Sequence, residues 1–591
     1  MLLSYSETEE RSLSFVLSRP QKFSLSPCKG IFPSSSSSDD DRGRERRTKK
    51  RRDLTPLLFA AMTTTTTTTT TERKQNLSRS GFPSFAKKKS NDETKNDDSN
   101  KKSFTRDDVA KHNRSNDCWV VVHDRAYDVT KFVPKHPGGN MIHVNAGGEC
   151  TALFESYHPL KARKVLEKFY VGDVVGDEEK EEEDERGARR RTTSISTTTT
   201  STKEKKQKSK SEMKAPKYRS NGEEDEFHYE CKRAAEKYFK ENALDPREHP
   251  EMWAKSVAIL SGVVLFHYLS FFSANVAFFP LACVFAVLHG VCKAEVGVSI
   301  QHDANHGAYS KNKKVLHAMQ LTLDIVGASS FMWKQQHVVG HHAFTNVEDI
   351  DPDIRCDEKN DVRRVNYMQP HAFFHKAQHV YLALMYGLLS FKSCFFDDFS
   401  ARKNNKIGWV TVPKFERREA VEFWGSKAVW AFYYLYLPFK YSPHNDSYAK
   451  LFALWTLTEF TTGWLLAFMF QVAHVTPDVE FFKVDEKTGV ISSNKSWAEA
   501  QLASSADFAH GSKFWTHFSG GLNYQVIHHL FPGVCHVHYP QLAPLVMDVC
   551  KKRGLEYVVY PTFWAALRAH FRHLKNVGGG AFKVPSLHTV G

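Results

Sequence analysis

Three histidine clusters in the second half of the chain, each beside a strongly apolar segment, constrain the fold more than any other feature. They read His302-Asp303-Ala304-Asn305-His306, His337-Val338-Val339-Gly340-His341-His342 and Gln525-Val526-Ile527-His528-His529. In the first two the histidines recur four residues apart, so on a helix each pair projects from one face and two imidazoles can reach one metal. One such pair is ordinary on a polar helix face. Three in one chain point to a shared metal site, and an all-imidazole donor set suits iron.

The mean hydropathy of −0.47 suggests a soluble chain, but it averages two extremes. Polar residues concentrate in 34–110 and 176–250, and long apolar runs occupy 256–292 and 451–473. Four spans are expected, at 256–272, 274–292, 427–439 with flanking residues, and 451–472, arranged as two helical hairpins. The apolar stretch 379–396 is read as interfacial or re-entrant, because a further crossing there would put the third cluster on the opposite face from the first two. Lys and Arg at 311–314, 363–364 and 551–553 place the histidine side in the cytoplasm.

The net charge of +14 is scattered through low-complexity stretches without a nucleic-acid-binding motif, so no nucleic-acid partner is expected. Membrane lipid is the partner such a basic surface fits. The ten cysteines include no CxxC pair, and they read as reduced structural thiols. Residues 1–100, with nine consecutive threonines from Thr63 to Thr71, cannot bury a core and are expected to be a disordered low-complexity or targeting segment. Glu7, Glu9 and Glu10 argue against a transit peptide, and Met62 is an alternative start. Residues 176–250 read as a charged linker and pre-membrane region, and 576–591 as a C-terminal tail.

Between the two polar tracts, 104–175 is a compact island. It carries Tyr127-Asp128-Val129-Thr130-Lys131-Phe132, His136-Pro137-Gly138-Gly139 and Phe154-Glu155-Ser156-Tyr157-His158. It resembles the cytochrome b5 heme domain, and His136 and His158, 22 positions apart, match that family's two axial ligands. Two imidazoles leave heme iron no open position, so the group cycles by one electron without binding dioxygen.

Residues 251–575 resemble the membrane fatty acid desaturases, and the combination with an N-terminal heme domain resembles the fused front-end type. Gln525 stands where other desaturase classes place the first histidine of the third cluster, flanked by Gly520-Gly521-Leu522-Asn523-Tyr524 and Leu530-Phe531-Pro532. Val526-Ile527 departs from the Ile-Glu the family commonly shows. The resemblance implies a multidomain chain: a small α+β cytochrome b5-like heme domain, then an all-α membrane-embedded di-iron domain with about four transmembrane helices. It implies two non-heme irons held by His302, His306, His337, His341, His342, His528 and His529, with His474 as a further ligand and Gln525 as a weak ligand or a residue holding one.

The remaining histidines read as structural. His371, His375 and His379 form an interfacial face, His123 and His143 are surface or core residues, and His510, His517, His536 and His538 stay unassigned. Asp349, Asp351 and Asp353 lack the spacing of a calcium loop and read as a polar turn.

The activity implied is insertion of a cis double bond between an existing one and the carboxyl end of a polyunsaturated acyl chain, carried on CoA or phospholipid, most like Δ5 or Δ4. Alternatives are Δ6 acyl or Δ8 sphingoid desaturation, acyl hydroxylation, and a non-enzymatic membrane heme carrier. The implied cofactors are heme b and two irons, with dioxygen as co-substrate. Electrons from NADH would come through a separate cytochrome b5 reductase, since the chain has no nucleotide-binding fingerprint. The implied location is the endoplasmic reticulum membrane as a multi-pass protein, ahead of a plastid membrane.

Overall fold

The computed structural model describes residues 102–175, 216–218, 225–273, 278–355, 362–485 and 488–580. The expectations for residues 1–100, for most of 176–250 and for the end of the tail lie outside these residues.

The first part is a five-stranded sheet built from β1 (Ser103–Phe104), β2 (Asn113–Arg114), β3 (Asp117–Val122), β4 (Arg125–Asp128) and β5 (Tyr170–Val174), in the order β1-β5-β4-β3-β2. Strand β3 alternates until Val120, Val121 and Val122, which are all buried, because helical turns cover one face and the Val109 helix the other. The segment between β4 and β5 supplies short helices over Val133–Lys135, Gly139–His143 and Thr151–Tyr157. These carry His136 and His158 at their ends.

The helix Glu226–Glu241 follows, capped by Asp225 through the His228 N–H at 3.0 Å. Its apolar stripe of Phe227, Cys231 and Ala235 packs on Leu542, Val546 and Val549 of Tyr539–Arg553.

Among the described residues four helices are long and apolar enough to cross a membrane: Pro250–Phe271, Phe279–Asn305, Phe373–Asn404 and Tyr448–His474. The second and fourth lie close together along small residues. A Cβ on Gly290 would stand 2.6 Å from the Thr458 carbonyl oxygen. Thr458 Oγ1 donates to Ala286 O at 3.1 Å and Thr462 Oγ1 to Gly290 O at 3.0 Å, the close approach by which helices associate without a hydrophobic driving force.

The third member of this set differs from the sequence-based one. The 427–439 segment belongs to a continuous helix formed by Arg417–Trp430, Ala431–Tyr436 and Leu437–Tyr441. Its tyrosines and tryptophans, with Lys427 and Lys440, keep it out of the apolar set. The contacts nonetheless put its two ends on opposite sides. Glu416, just before it, accepts from Ser115 Oγ of the sheet domain at 2.5 Å, and His444, just after it, packs on Phe279 at the start of the helix that ends in the first histidine cluster. Phe373–Asn404 has both ends on the histidine side. Near its start Gln378 donates to Leu574 O at 2.7 Å, and it is followed by a hairpin whose Val410 would meet a Cβ on Gly340 at 3.0 Å. In its middle Ser390 reaches Glu459 at 2.5 Å.

Glu459 also accepts from Tyr434 Oη at 2.6 Å and is paired with Lys293, both charged groups being buried. Removing one partner of a buried pair leaves an uncompensated charge, at a cost of about 3–5 kcal/mol. Lys293→Met is therefore expected to unfold at a lower temperature in detergent than both the wild type and Lys293→Met/Glu459→Gln. Equal unfolding temperatures for the single and double variants would contradict this.

Candidate metal centre and heme site

The first cluster lies on the short helix Gln301–Asn305, entered through a π-helical turn over Val296–Ile300. The second lies on a π-helical run over Lys334–His341, not the α-helix its spacing suggests. The His342 N–H donates to His337 O at 3.0 Å, and this wider turn brings His342 back over His337, so that their Nε2 atoms stand 3.1 Å apart. All three histidines of the cluster thus face one space. On Gln525–Leu530 the four-residue spacing aligns Gln525 with His529, and His528 lies beside them. His474 ends the long helix Tyr448–His474.

All eight expected histidines converge. His302, His306, His337 and His528 form one group, and His341, His474 and His529 a second, each with a ligand atom from every member within 4.8 Å of the others. His342 joins His528 and His529 in a third grouping that spans the two.

The outer nitrogens are held individually. His337 Nδ1–H donates to Asp353 at 2.6 Å and His341 Nδ1–H to Asp351 at 2.9 Å. His474 donates to Ser504 O at 2.9 Å, His529 to Gln501 Oε1 at 2.8 Å and His528 to Tyr539 Oη at 3.3 Å. His306 Nδ1 bonds the hydroxyl of Tyr157. With the proton on Nδ1, each Nε2 presents a lone pair inward. Burial first, and then neighbouring imidazoles, hold His342, His528 and His529 well below the ordinary histidine range, so they are neutral.

The donor set fits metal. Both nitrogens of His302, and Nε2 of His306, His341 and His528, are buried without a hydrogen-bond partner among the described residues. Each such atom costs on the order of 1–3 kcal/mol if nothing meets it, and iron is a group that imidazole nitrogen meets well.

Gln525 faces the second group. Its amide nitrogen lies 2.9 Å from His474 Nε2 and 3.1 Å from His529 Nε2, and its Oε1 is buried without a partner. Asp351 and Asp353 correct the reading of that segment as a mere polar turn. They do form turns, with Asp349 at φ 61°, but Asp351 is fully buried and both carboxylates orient histidines. Burial raises the Asp353 carboxyl, and its pairing with His337 outweighs that, so it stays well below the usual range. Their alternate spacing, nine and eleven residues after the second cluster ends at His342, was the available signal.

The other histidines stand apart from these groups. His371 bonds Gly578 O at 2.8 Å, His375 caps a turn through the Ala372 N–H, and His510 bonds Asp507. His536 bonds Asp303 at 2.8 Å, directly behind His302.

In the sheet domain His136 Nε2 faces His158 Nε2 at 3.4 Å. Their outer nitrogens donate to Gly139 O at 3.4 Å and Phe154 O at 3.0 Å. Two lone pairs therefore converge, at a separation near twice a metal–imidazole bond of roughly 2 Å. Burial, and then the facing ring, pulls His136 down to about 4. A Cβ on Gly138 would come within 2.9 Å of the His136 ring, and Gly139 has φ +59°, which explains the glycine pair. Val129, Val133, Leu153 and Phe154 supply apolar surroundings, and the site fits heme.

Known proteins agree with this geometry. Residues 105–175 match the cytochrome b5-like heme/steroid binding domain, and 246–561 the fatty acid desaturase family. The chain is 45% identical to an acyl-lipid (8-3)-desaturase of Physcomitrium patens, over 82% of this chain and 93% of that protein. It is 32% identical to Delta(5) fatty acid desaturase A of Dictyostelium discoideum, over 81% and 94%. It is 33% identical to an sn-1 linoleoyl-lipid 6-desaturase of Synechocystis, over 58% and 92%. With its histidine groups at the ends of membrane helices and a heme domain ahead of them, the chain belongs to the fatty acid desaturase family, in its cytochrome b5-fused front-end branch.

Proposed function

We propose that this desaturase acts with Δ5 regiochemistry on a polyunsaturated chain esterified in a phospholipid. The observation that carries this is the 45% identity, along 93% of its length, to a relative named for acyl-lipid (8-3) desaturation, supported by the Delta(5) relative in Dictyostelium. Δ6 action is the second reading, favoured by the likeness to the 6-desaturase of Synechocystis.

His136 and His158 would hold heme b through Nε2, and one iron would be held by His302, His306, His337 and His528. A second would be held by His341, His474 and His529, with His342 between the two. When bound, the heme supplies single electrons, and the irons supply the dioxygen chemistry that an unactivated methylene pair requires. The residues do the rest. Asp351, Asp353, Gln501 and Ser504 fix which nitrogen of each histidine carries its proton. Burial of the whole cluster excludes water, and Gln525 places its amide beside His474 and His529. An unactivated chain offers no acid or base handle, so the position of the new double bond is a matter of how the carboxyl end is anchored. The reading includes NADH-derived electrons from a separate cytochrome b5 reductase, and the endoplasmic reticulum membrane as location.

The test is expression in yeast fed individual polyunsaturated acids, with bond positions read by mass spectrometry. A new Δ5 bond is expected, in phospholipid before the acyl-CoA pool, and His341→Ala is expected to eliminate it. A bond only at Δ6 would overturn the regiochemistry. His136→Ala in the full chain is expected to abolish the low-spin heme spectrum, which a normal oxidised and reduced spectrum would contradict. Gln525→Ile keeps bulk but removes the amide, so at least a tenfold loss of product is expected, with the heme spectrum retained. Wild-type yield would reduce Gln525 to packing.

A further inference from the structure

Tyr157 belongs to the heme domain and directly precedes His158, yet its hydroxyl bonds Nδ1 of His306 in the first histidine group. The two rings lie nearly parallel, 20° apart, with centroids separated by 6.1 Å. The acceptors for His337, His341, His474, His528 and His529 all come from the desaturase part of the chain; the partner for His306 comes from the other domain. This contact is embedded in a seat. Gln335, two residues before His337, donates to Val144 O at 3.0 Å. Trp333, Val338 and Val339 pack into the heme domain's apolar cluster. Lys232 pairs with Glu155 at 3.2 Å, both buried, two residues before Tyr157. A Cβ on Gly533, just beyond the third cluster, would lie 3.3 Å from the Tyr157 ring.

We propose that the fused heme domain completes the iron site: Tyr157 is a positioning residue that accepts the Nδ1 proton of His306 and so aims Nε2 at the metal. Seating of the heme domain and affinity for iron are then linked, and by reciprocity iron favours the seated state. The inference rests on the reading of His306 as an iron ligand.

The test uses the purified full-length chain loaded with iron and heme, and compares Tyr157→Phe, His306→Ala and Ser115→Ala. Iron per heme is measured against increasing concentrations of a ferrous chelator, alongside heme absorption and near-infrared circular dichroism of the ferrous site. In Tyr157→Phe the chelator concentration that removes half the iron is expected to fall about tenfold or more. The ferrous ligand-field bands are expected to shift, with heme absorption unchanged. Ser115→Ala, which removes the hydroxyl bond between the same two domains and leaves the Ser115 N–H bond to Glu416, is expected to retain iron like the wild type. If Tyr157→Phe also retains iron and leaves the bands unshifted while His306→Ala loses iron, the proposal falls and the ligand reading stands. Full iron retention in His306→Ala would overturn the ligand reading itself. Equal iron loss in Ser115→Ala and Tyr157→Phe would trace the effect to undocking in general and overturn the positioning role.

Discussion

The structure depends on eight imidazoles being buried and aimed at one another. A histidine taken from water loses the solvation of its charged form, so burial alone keeps it unprotonated, as it does at His342, His528 and His529. Neutrality is not enough, because a neutral ring has two tautomers and only one presents Nε2 to metal. The hydrogen bonds to Asp351, Asp353, Ser504 and Gln501 make that choice. The carboxylates add a second effect, raising the basicity of the rings they touch.

Bringing eight rings together requires that distant segments stop at one level. Phe279–Asn305 and Tyr448–His474 run side by side and both end in ligand candidates. Thr458 and Thr462 bond main-chain carbonyls of the partner helix at Ala286 and Gly290, which ties the level of one to the other. At the same level, the Lys293–Glu459 pair joins the same two helices, with Tyr434 and Ser390 recruited from two further segments. Such a pair is weak evidence for stability. Its plausible use is register, since a one-turn slip of either helix would leave two charges unpaired in an apolar setting.

The ligand candidates were legible in the sequence because their chemistry is local: two or three histidines within six positions announce themselves, and so does His136-Pro137-Gly138-Gly139 with His158 at a fixed distance. What sequence reasoning missed is non-local. Asp351 and Asp353 look like any acidic turn until the fold folds them under His341 and His337. Ser504 acts through its carbonyl, which carries no residue-type signal at all. Phe373–Asn404 is a different case: its composition matches a crossing, the need for all three clusters on one face argued for a re-entrant segment, and its contacts at both ends, to Leu574 and toward Gly340, agree that it returns to the histidine side. The π-helical runs before and within the clusters were equally invisible, because a periodicity argument assumes an α-helical repeat and these turns break it where function needs the rings to converge.

Fusion of the heme domain explains why a small apolar patch with a few polar bonds can hold its seat. Two separate proteins would need a sizeable apolar interface to meet, whereas covalent linkage supplies an effective concentration on the order of millimolar. Beside the packing of Trp333, Val338 and Val339, a few directional bonds can then set the orientation: Ser115 on Glu416, Gln335 on Val144 O, Lys232 on Glu155, Tyr157 on His306. Burial raises the Glu155 carboxyl, but His123, Lys232 and Arg163 outweigh it and keep Glu155 charged, so Lys232 has a fixed partner at the seam. Directional contacts fix orientation better than an apolar patch of the same size, and orientation is what a one-electron donor beside a buried metal site needs. The same bond that orients the heme domain also orients His306, and so the seam between the domains is part of the site.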